Sequence, residues 1–241
     1  QTETQEFKQW FKDSKVVDEN GEPLVVYHGT HNDFNIFRPN MYGDRYHFGT
    51  IGQASSRIGV SDEIISDAIK FGDIQSHQTG RNIVPVYLSI KNPVRLPDLD
   101  QWVNRESWAQ EIKSMPSDVA NVVRPLLSDK RLDRFTFMDA VISAIEGLGY
   151  DGIVYLNKFE NRSKPSDSWM AFRPEQIKSA TGNRGTFDPA NPDIRFSRRS
   201  VMGNQIQSAW SVDDPSRMDD FLYRIQNKQI DTKRVVEAIN D

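Results

Sequence analysis

Residues 98–146 constrain the fold most. LDQWVNRESWAQEIKSM, SDVANVVRPLLSD and RFTFMDAVISAIEGL carry apolar side chains three and four residues apart, with Pro116 and Pro125 as punctuation. That spacing lines up one face of an α-helix. The segments on either side have a different period. Before it, RNIVPVYLSIKNPVRL alternates around Val84, Val86, Leu88 and Ile90, and Asn92-Pro93 ends the run. After it, YDGIVYLN and SWMAFRP resume strand patterning. A helical segment set into a strand-rich frame predicts an α+β fold.

The remaining segments fill in that frame. Residues 3–13 put Phe7, Trp10 and Phe11 on one helical face, and KVVDENGEPLVVYHG reads as two short strands around the turn ENGEP. Residues 40–52 hold Gly43, Gly49 and Gly52 without a clear period, a loop running into a short element at YHF. Residues 53–70 read as an interrupted helix. From Gln176 the chain turns Asn-, Gly- and Pro-rich, which closes the domain near residue 197. DDPSRMDDFLYRIQNKQ and DTKRVVEAIND then read as short amphipathic helices, the first with Asp214 as N-cap and Pro215 at its first turn. The expected organisation is one domain over 1–197, with its helical insert at about 98–146, followed by a linker and short helices over 198–241 that start a further region. The first residue is Gln, so a fragment of a longer protein is expected.

Composition narrows the function classes. The 241 residues are 37% hydrophobic, which suits a sizeable core. A net charge of −4 gives no general pull toward nucleic acid or an anionic membrane. No apolar run approaches a membrane span. The absence of Cys excludes disulfides and thiolate chemistry.

Several motifs fall away on inspection. GLGYDG, 147–152, matches the dinucleotide pattern G-x-G-x-x-G. That pattern needs strand, glycines, then helix, so that phosphate meets a helix N-terminus. Here the order is helix, glycines, strand, which reads as a helix end and tight turn. The histidines are His28, His31, His47 and His77. His28 and His31 alone could approach a metal, with no second pair at ligand spacing and no H-E-x-x-H, so no metal site is expected. No G-x-S-x-G elbow supports a serine nucleophile. Arg184, Arg195, Arg198 and Arg199 make one basic edge, the sole feature that would suit nucleic acid.

What remains is dispersed. VVYHGTHNDFNIF places an imidazole, a glycine and a hydroxyl at the end of an apolar run, and YHFGT, YDGIVY and DSWMAFRPEQIKSATGN add further polar groups. Each has an ordinary structural reading beside a functional one: His28 as a core histidine on a backbone carbonyl, Gly29 as a tight turn, Phe48 as core, Glu160 as a solvated loop charge.

Taken together and in order, VVYHGTHNDFNIF, YHFGTIGQASSR, VPVYLSIKNPVRL, YDGIVYLNKFE and WMAFRPEQIKSATGNRGTFDPANPDIRFS resemble the ADP-ribosyltransferase domains of large polyvalent proteins of phages and other mobile elements. The resemblance spans about 16–197. It implies an ADP-ribosyltransferase-like split β-sandwich with a helical insertion, and a site of the His–Tyr–Glu type that takes NAD as a substrate. By resemblance, His28 bonds a ribose hydroxyl on the adenosine side, the backbone of Gly29 holds the nicotinamide amide, and Thr30 supports that turn. The usual Tyr position falls on His47, with Tyr46 one place earlier and Phe48 as wall; strand alternation lets only one of Tyr46 and His47 line the cleft. The strand start that usually holds the catalytic Glu holds Ser168, preceded by Asp167. Glu160, in the loop NKFENRSKPSD, is the first choice for the carboxylate and Asp167 the second, with Glu175 beyond the strand. The implied activity is mono-ADP-ribosyl transfer to a host protein or nucleic acid, with possible NAD glycohydrolysis, by part of a larger polyprotein in a phage particle or delivered to host cytoplasm. No arginine-specific Glu-x-Glu is present, so arginine is not expected as acceptor. The competing reading, favoured by the missing strand-start Glu, is a catalytically inactive module that binds NAD or a protein.

Overall fold

The computed structural model describes residues 1–32, 34–38, 45–59, 82–160, 165–183 and 187–195. All lie in the first of two compact units, Gln1–Phe196. Seven strands are described: β1 Val26–Thr30, β2 Tyr46–Phe48, β3 Asn82–Leu88, β4 Pro93–Arg95, β5 Gly152–Asn157, β6 Ser166–Ala171 and β7 Ile177–Ser179. The described helices are α1 Gln5–Phe11, α2 Ile51–Arg57, α3 Arg105–Glu111, α4 Ser117–Ser128 and α5 Phe137–Gly147.

The strands form two sheets, one ordered β1-β3-β7 and antiparallel, the other ordered β2-β6-β5-β4. In the second sheet only β4 and β5 run parallel. Parallel neighbours need a crossover connection, and the helical insert is that crossover. Alternation on β5 explains the layering. Val154 joins Val26, Val86, Leu88, Phe48, Trp169 and Ile177 in the core between the sheets. Ile153 and Tyr155 face the other way and bury Trp108, Val123, Val141 and Ile145 of the insert. A strand covered on both faces reads as a nearly continuous apolar run, as GIVYL does. The expected α+β split sandwich with inserted helices is therefore the fold observed.

Two strand expectations are corrected. The first half of KVVDENGEPLVVYHG is an isolated bridge, Val17 to Pro23, and not a strand. Asp18 accepts the backbone N–H groups of Asn20 and Glu22 at 2.8 and 2.9 Å, and Gly21 sits at φ +82°, so the turn is too tight for a ladder. RNIVPVYLSIKNPVRL is two strands in different sheets, because the carboxylate of Asp151 pins the crossing by accepting from Lys91 and Asn92 N–H at 2.8 and 2.7 Å. GLGYDG is a helix end and turn, with Gly149 at φ +91°. The expected helix over 53–70 is observed as α2 up to Arg57. Residues 60–81, the boundary near 197 and the helices beyond it lie outside the described residues.

Candidate active site

The site forms where the two sheets touch. Tyr27 and Gly49 exchange backbone hydrogen bonds of 2.8 and 3.0 Å, joining β1 to the chain just after β2. α2 starts at once, its first turn closed by a Thr50–Gln53 capping box. It packs so tightly that a Cβ on Gly29 would lie 2.0 Å from the carbonyl oxygen of Ala54, and one on Gly49 would lie 2.2 Å from Gln53 Oε1. At Gly29 the clash is with backbone, so that position admits only glycine, whereas at Gly49 the Gln53 amide would have to move aside. Thr30 Oγ1 accepts the N–H of Asn32 at 3.1 Å and holds the turn after β1.

Alternation on β2 sends Tyr46 and Phe48 to one face and His47 to the other. Tyr46 and Phe48 pack with Phe37 around the ring of His28. Phe48 is thus part of the intersheet core, on the opposite face from His47. His28 donates from Nδ1 to the carbonyl of His47 at 2.9 Å, which leaves Nε2 as an acceptor. Burial holds its imidazole down at about 4, so it is neutral at pH 7.

His47 faces the insert. Its Nδ1 lies 2.8 Å from the hydroxyl of Tyr155, and its ring packs on Trp102. Burial, reinforced by the charges of Glu160 and Asp98, raises the Tyr155 phenol, which stays protonated. Burial likewise raises the carboxyl of Asp98. Ser168, 1% exposed, shares this face. Its Oγ donates to Gln53 Oε1 at 3.3 Å and accepts from Asn157 Nδ2 at 3.1 Å. Glu160 folds back over the same edge. Arg57 Nη1 donates to its Oε1 at 2.8 Å, and Asn157 Nδ2 donates to its Oε2 at 2.6 Å.

Two spaces meet at Glu160. One, about 10 Å³, is lined by Gly29, His47, Phe48, Gly49, Ser168 and Glu160 among others. The other, about 270 Å³, lies between Asp98–Trp102 and Tyr155–Glu160. His47, Arg57 and Glu160 line both. The structure therefore brings together Gly29, His47, Phe48, Ser168 and Glu160, with His28 and Tyr46 in the aromatic layer behind. Asp167 is elsewhere: it alternates away from Ser168 and pairs with both terminal nitrogens of Arg95 at 2.9 and 2.6 Å. Glu175 lies in a short 3-10 turn before β7, where its carbonyl accepts from the indole of Trp10.

A family model described as ADP-ribosyltransferase in polyvalent proteins matches residues 18–187. The chain belongs to that family. No curated protein and no solved structure gives a match. The matched span contains every candidate residue from His28 to Glu175. NAD is the substrate of an ADP-ribosyltransferase, and its nicotinamide–ribose bond is the one broken. Among the described residues no three His, Asp or Glu side chains come together as a metal site, and no helix is long and apolar enough to cross a membrane.

The ADP-ribosyltransferase reading of the sequence missed Arg57, Gln53, Asn157 and Tyr155. Arg57 and Glu160 are far apart in the chain, so no spacing rule links them. Asn157 follows a strand and reads as a turn residue. The one local signal was its place three residues before Glu160, within reach of a side-chain-to-backbone turn.

Proposed function

We propose that this domain is a mono-ADP-ribosyltransferase that cleaves NAD and transfers single ADP-ribose units to a host macromolecule, protein or nucleic acid. The observation that carries this reading is the convergence of Glu160, His47, Ser168 and Gly29 on one lining, from four separate segments. The reaction breaks the bond between ribose C1′ and the nicotinamide nitrogen, and the electron pair leaves with nicotinamide. Positive charge develops on the ribose, as in glycoside hydrolysis. A fixed carboxylate stabilises that charge. Glu160 takes this role, and the family resemblance gives His28, neutral with Nε2 as acceptor, a ribose hydroxyl on the adenosine side, away from the bond that breaks.

A space of about 10 Å³ holds no more than a water. NAD therefore enters by displacing the Arg57–Glu160 contact, whose two side chains line both spaces. That contact is half exposed on the Arg57 side. Exposed ion pairs contribute ~0–1 kcal/mol, so substrate binding offsets its loss easily. In this reading the domain is one segment of a larger phage polyprotein, acting in the particle or in host cytoplasm after delivery.

Labelled NAD incubated with host lysate tests the proposal. The unmodified protein transfers label and releases nicotinamide, while Glu160→Gln does neither at a comparable rate. Label that survives nuclease identifies a protein acceptor. The competing reading, an inactive binding module, is favoured by the engagement of both Glu160 oxygens. It would be supported if NAD raises the melting temperature of the protein while no nicotinamide is released.

A further inference from the structure

We infer that Asn157 is the positioning residue for Glu160: its amide fixes one carboxylate oxygen and leaves the other for the ribose. The inference rests on the reading of Glu160 as the catalytic carboxylate. Asn157 ends β5 and is 2% exposed. Every hydrogen-bonding site of its side chain is used. Oδ1 accepts the backbone N–H groups of Phe159 and Glu160 at 3.2 and 3.1 Å. Nδ2 donates to Glu160 Oε2 at 2.6 Å and to Ser168 Oγ at 3.1 Å. These partners fix the amide orientation, since a reversed amide would set oxygen against carboxylate oxygen and nitrogen against two N–H groups.

The two ends do different work. The Oδ1 end folds the backbone after β5, so that Glu160 returns over the sheet edge instead of running on with the strand. The Nδ2 end sets the carboxylate's rotation. Ser168 holds Asn157 in turn, and Gln53, 1% exposed, holds Ser168. This chain is buried throughout, unlike Arg57 on the other carboxylate oxygen. Hence Oε2 is the fixed oxygen and Oε1 the exchangeable one. β6 begins at Ser166, two residues before the strand start expected at Ser168, and Ser168 within it acts through Asn157. A carboxylate from a neighbouring loop thereby reaches the cleft that a strand-start Glu would otherwise fill.

Asn157→Asp is the discriminating variant. It keeps an oxygen for the two backbone N–H groups and replaces the donor with an oxygen facing Glu160. Two carboxylates in that position share one proton. Arg57, Asp98, His47 and Tyr155 line the same cavity and are unchanged in the comparison. Nicotinamide release from NAD is measured against pH for the unmodified protein, Asn157→Asp and Glu160→Gln. The expected result for Asn157→Asp is a kcat lowered about tenfold or more, short of the ~10²–10³ for a direct electrostatic contact. KM changes little, and the acid limb of the rate profile moves to higher pH. A merely structural role would lower the melting temperature without moving that limb. If Glu160→Gln is inactive while Asn157→Asp keeps the unmodified kcat and profile, the positioning role is overturned and the reading of Glu160 stands. If Glu160→Gln cleaves NAD at the unmodified rate, both fall.

Discussion

Strand alternation separates two adjacent residues, Asp167 and Ser168, and that separation supports the proposal of Glu160 over Asp167 as the carboxylate. Asp167 is committed to Arg95 on one face, while Ser168 faces the cleft lining that Glu160 reaches from its loop. Glu160→Gln is therefore expected to lower NAD cleavage by ~10²–10³ with the fold retained. Asp167→Asn and Glu175→Gln leave the rate within about threefold, because removing a charge remote from the ribose changes little in the transition state. Initial rates of nicotinamide release on the three variants check this, and a dead Asp167→Asn beside an active Glu160→Gln would transfer the role. At this scale the sequence was legible where a motif is local. His28, Gly29 and Thr30 lie together in YHGT, and the structure keeps them on one strand end. It was illegible where a site is assembled from afar. Phe48 next to His47 looked like a neighbouring wall, yet pleating puts the two rings on opposite faces.

At the scale of elements, α2 holds the site closed. Its carbonyl at Ala54 abuts Gly29, its Gln53 reaches Ser168 and its Arg57 holds Glu160. Arg57→Ala removes an ion pair of ~0–1 kcal/mol and frees Glu160 Oε1. The melting temperature should move little, and KM for NAD should fall. A raised KM would instead make Arg57 a substrate contact. Gly29→Ala makes the opposite kind of change. Its methyl group would meet backbone at 2.0 Å, which no rotamer change relieves. Overpacking typically costs ~1–3 kcal/mol, and for a domain of 150–250 residues that corresponds to a melting temperature lower by roughly 2–12 °C. Thermal unfolding measures it, and an unchanged midpoint would show that α2 is free to shift. The strands that bury one or both faces were legible from their period. The break between β3 and β4 was not, because apolar alternation continues through Ile90 while Asp151, distant in sequence, redirects the backbone.

Among the described residues the two larger core clusters lie on either side of one sheet, with the proposed site on the rim where sheet, insert and α2 meet. That arrangement leaves buried groups whose protonation differs between folded and unfolded chain, and the pH dependence of stability follows. Burial lowers His28 from 6.5 to about 4. Between those values the unfolded chain binds more protons, so stability falls as pH drops from about 6.5 toward 4. The contribution is on the order of 3 kcal/mol at one pKa unit per 1.36 kcal/mol. Lys178 has the same sign at a higher range. It is fully buried, donates to the carbonyls of Asn191 and Asp193, and is lowered from 10.5 to about 8 by burial. Unfolding takes up protons between pH 8 and 10.5, so stability rises with pH across that window. Denaturant titrations at pH 4.5, 7 and 9.5 should thus show two separate rises. His28→Gln should flatten the lower one and leave the upper one, and Lys178→Met should do the reverse. A lower rise that persists unchanged in His28→Gln would mean that the imidazole is solvated in the folded protein. An open aromatic cage of that kind would also remove the reason for its neutral, accepting Nε2 at the ribose.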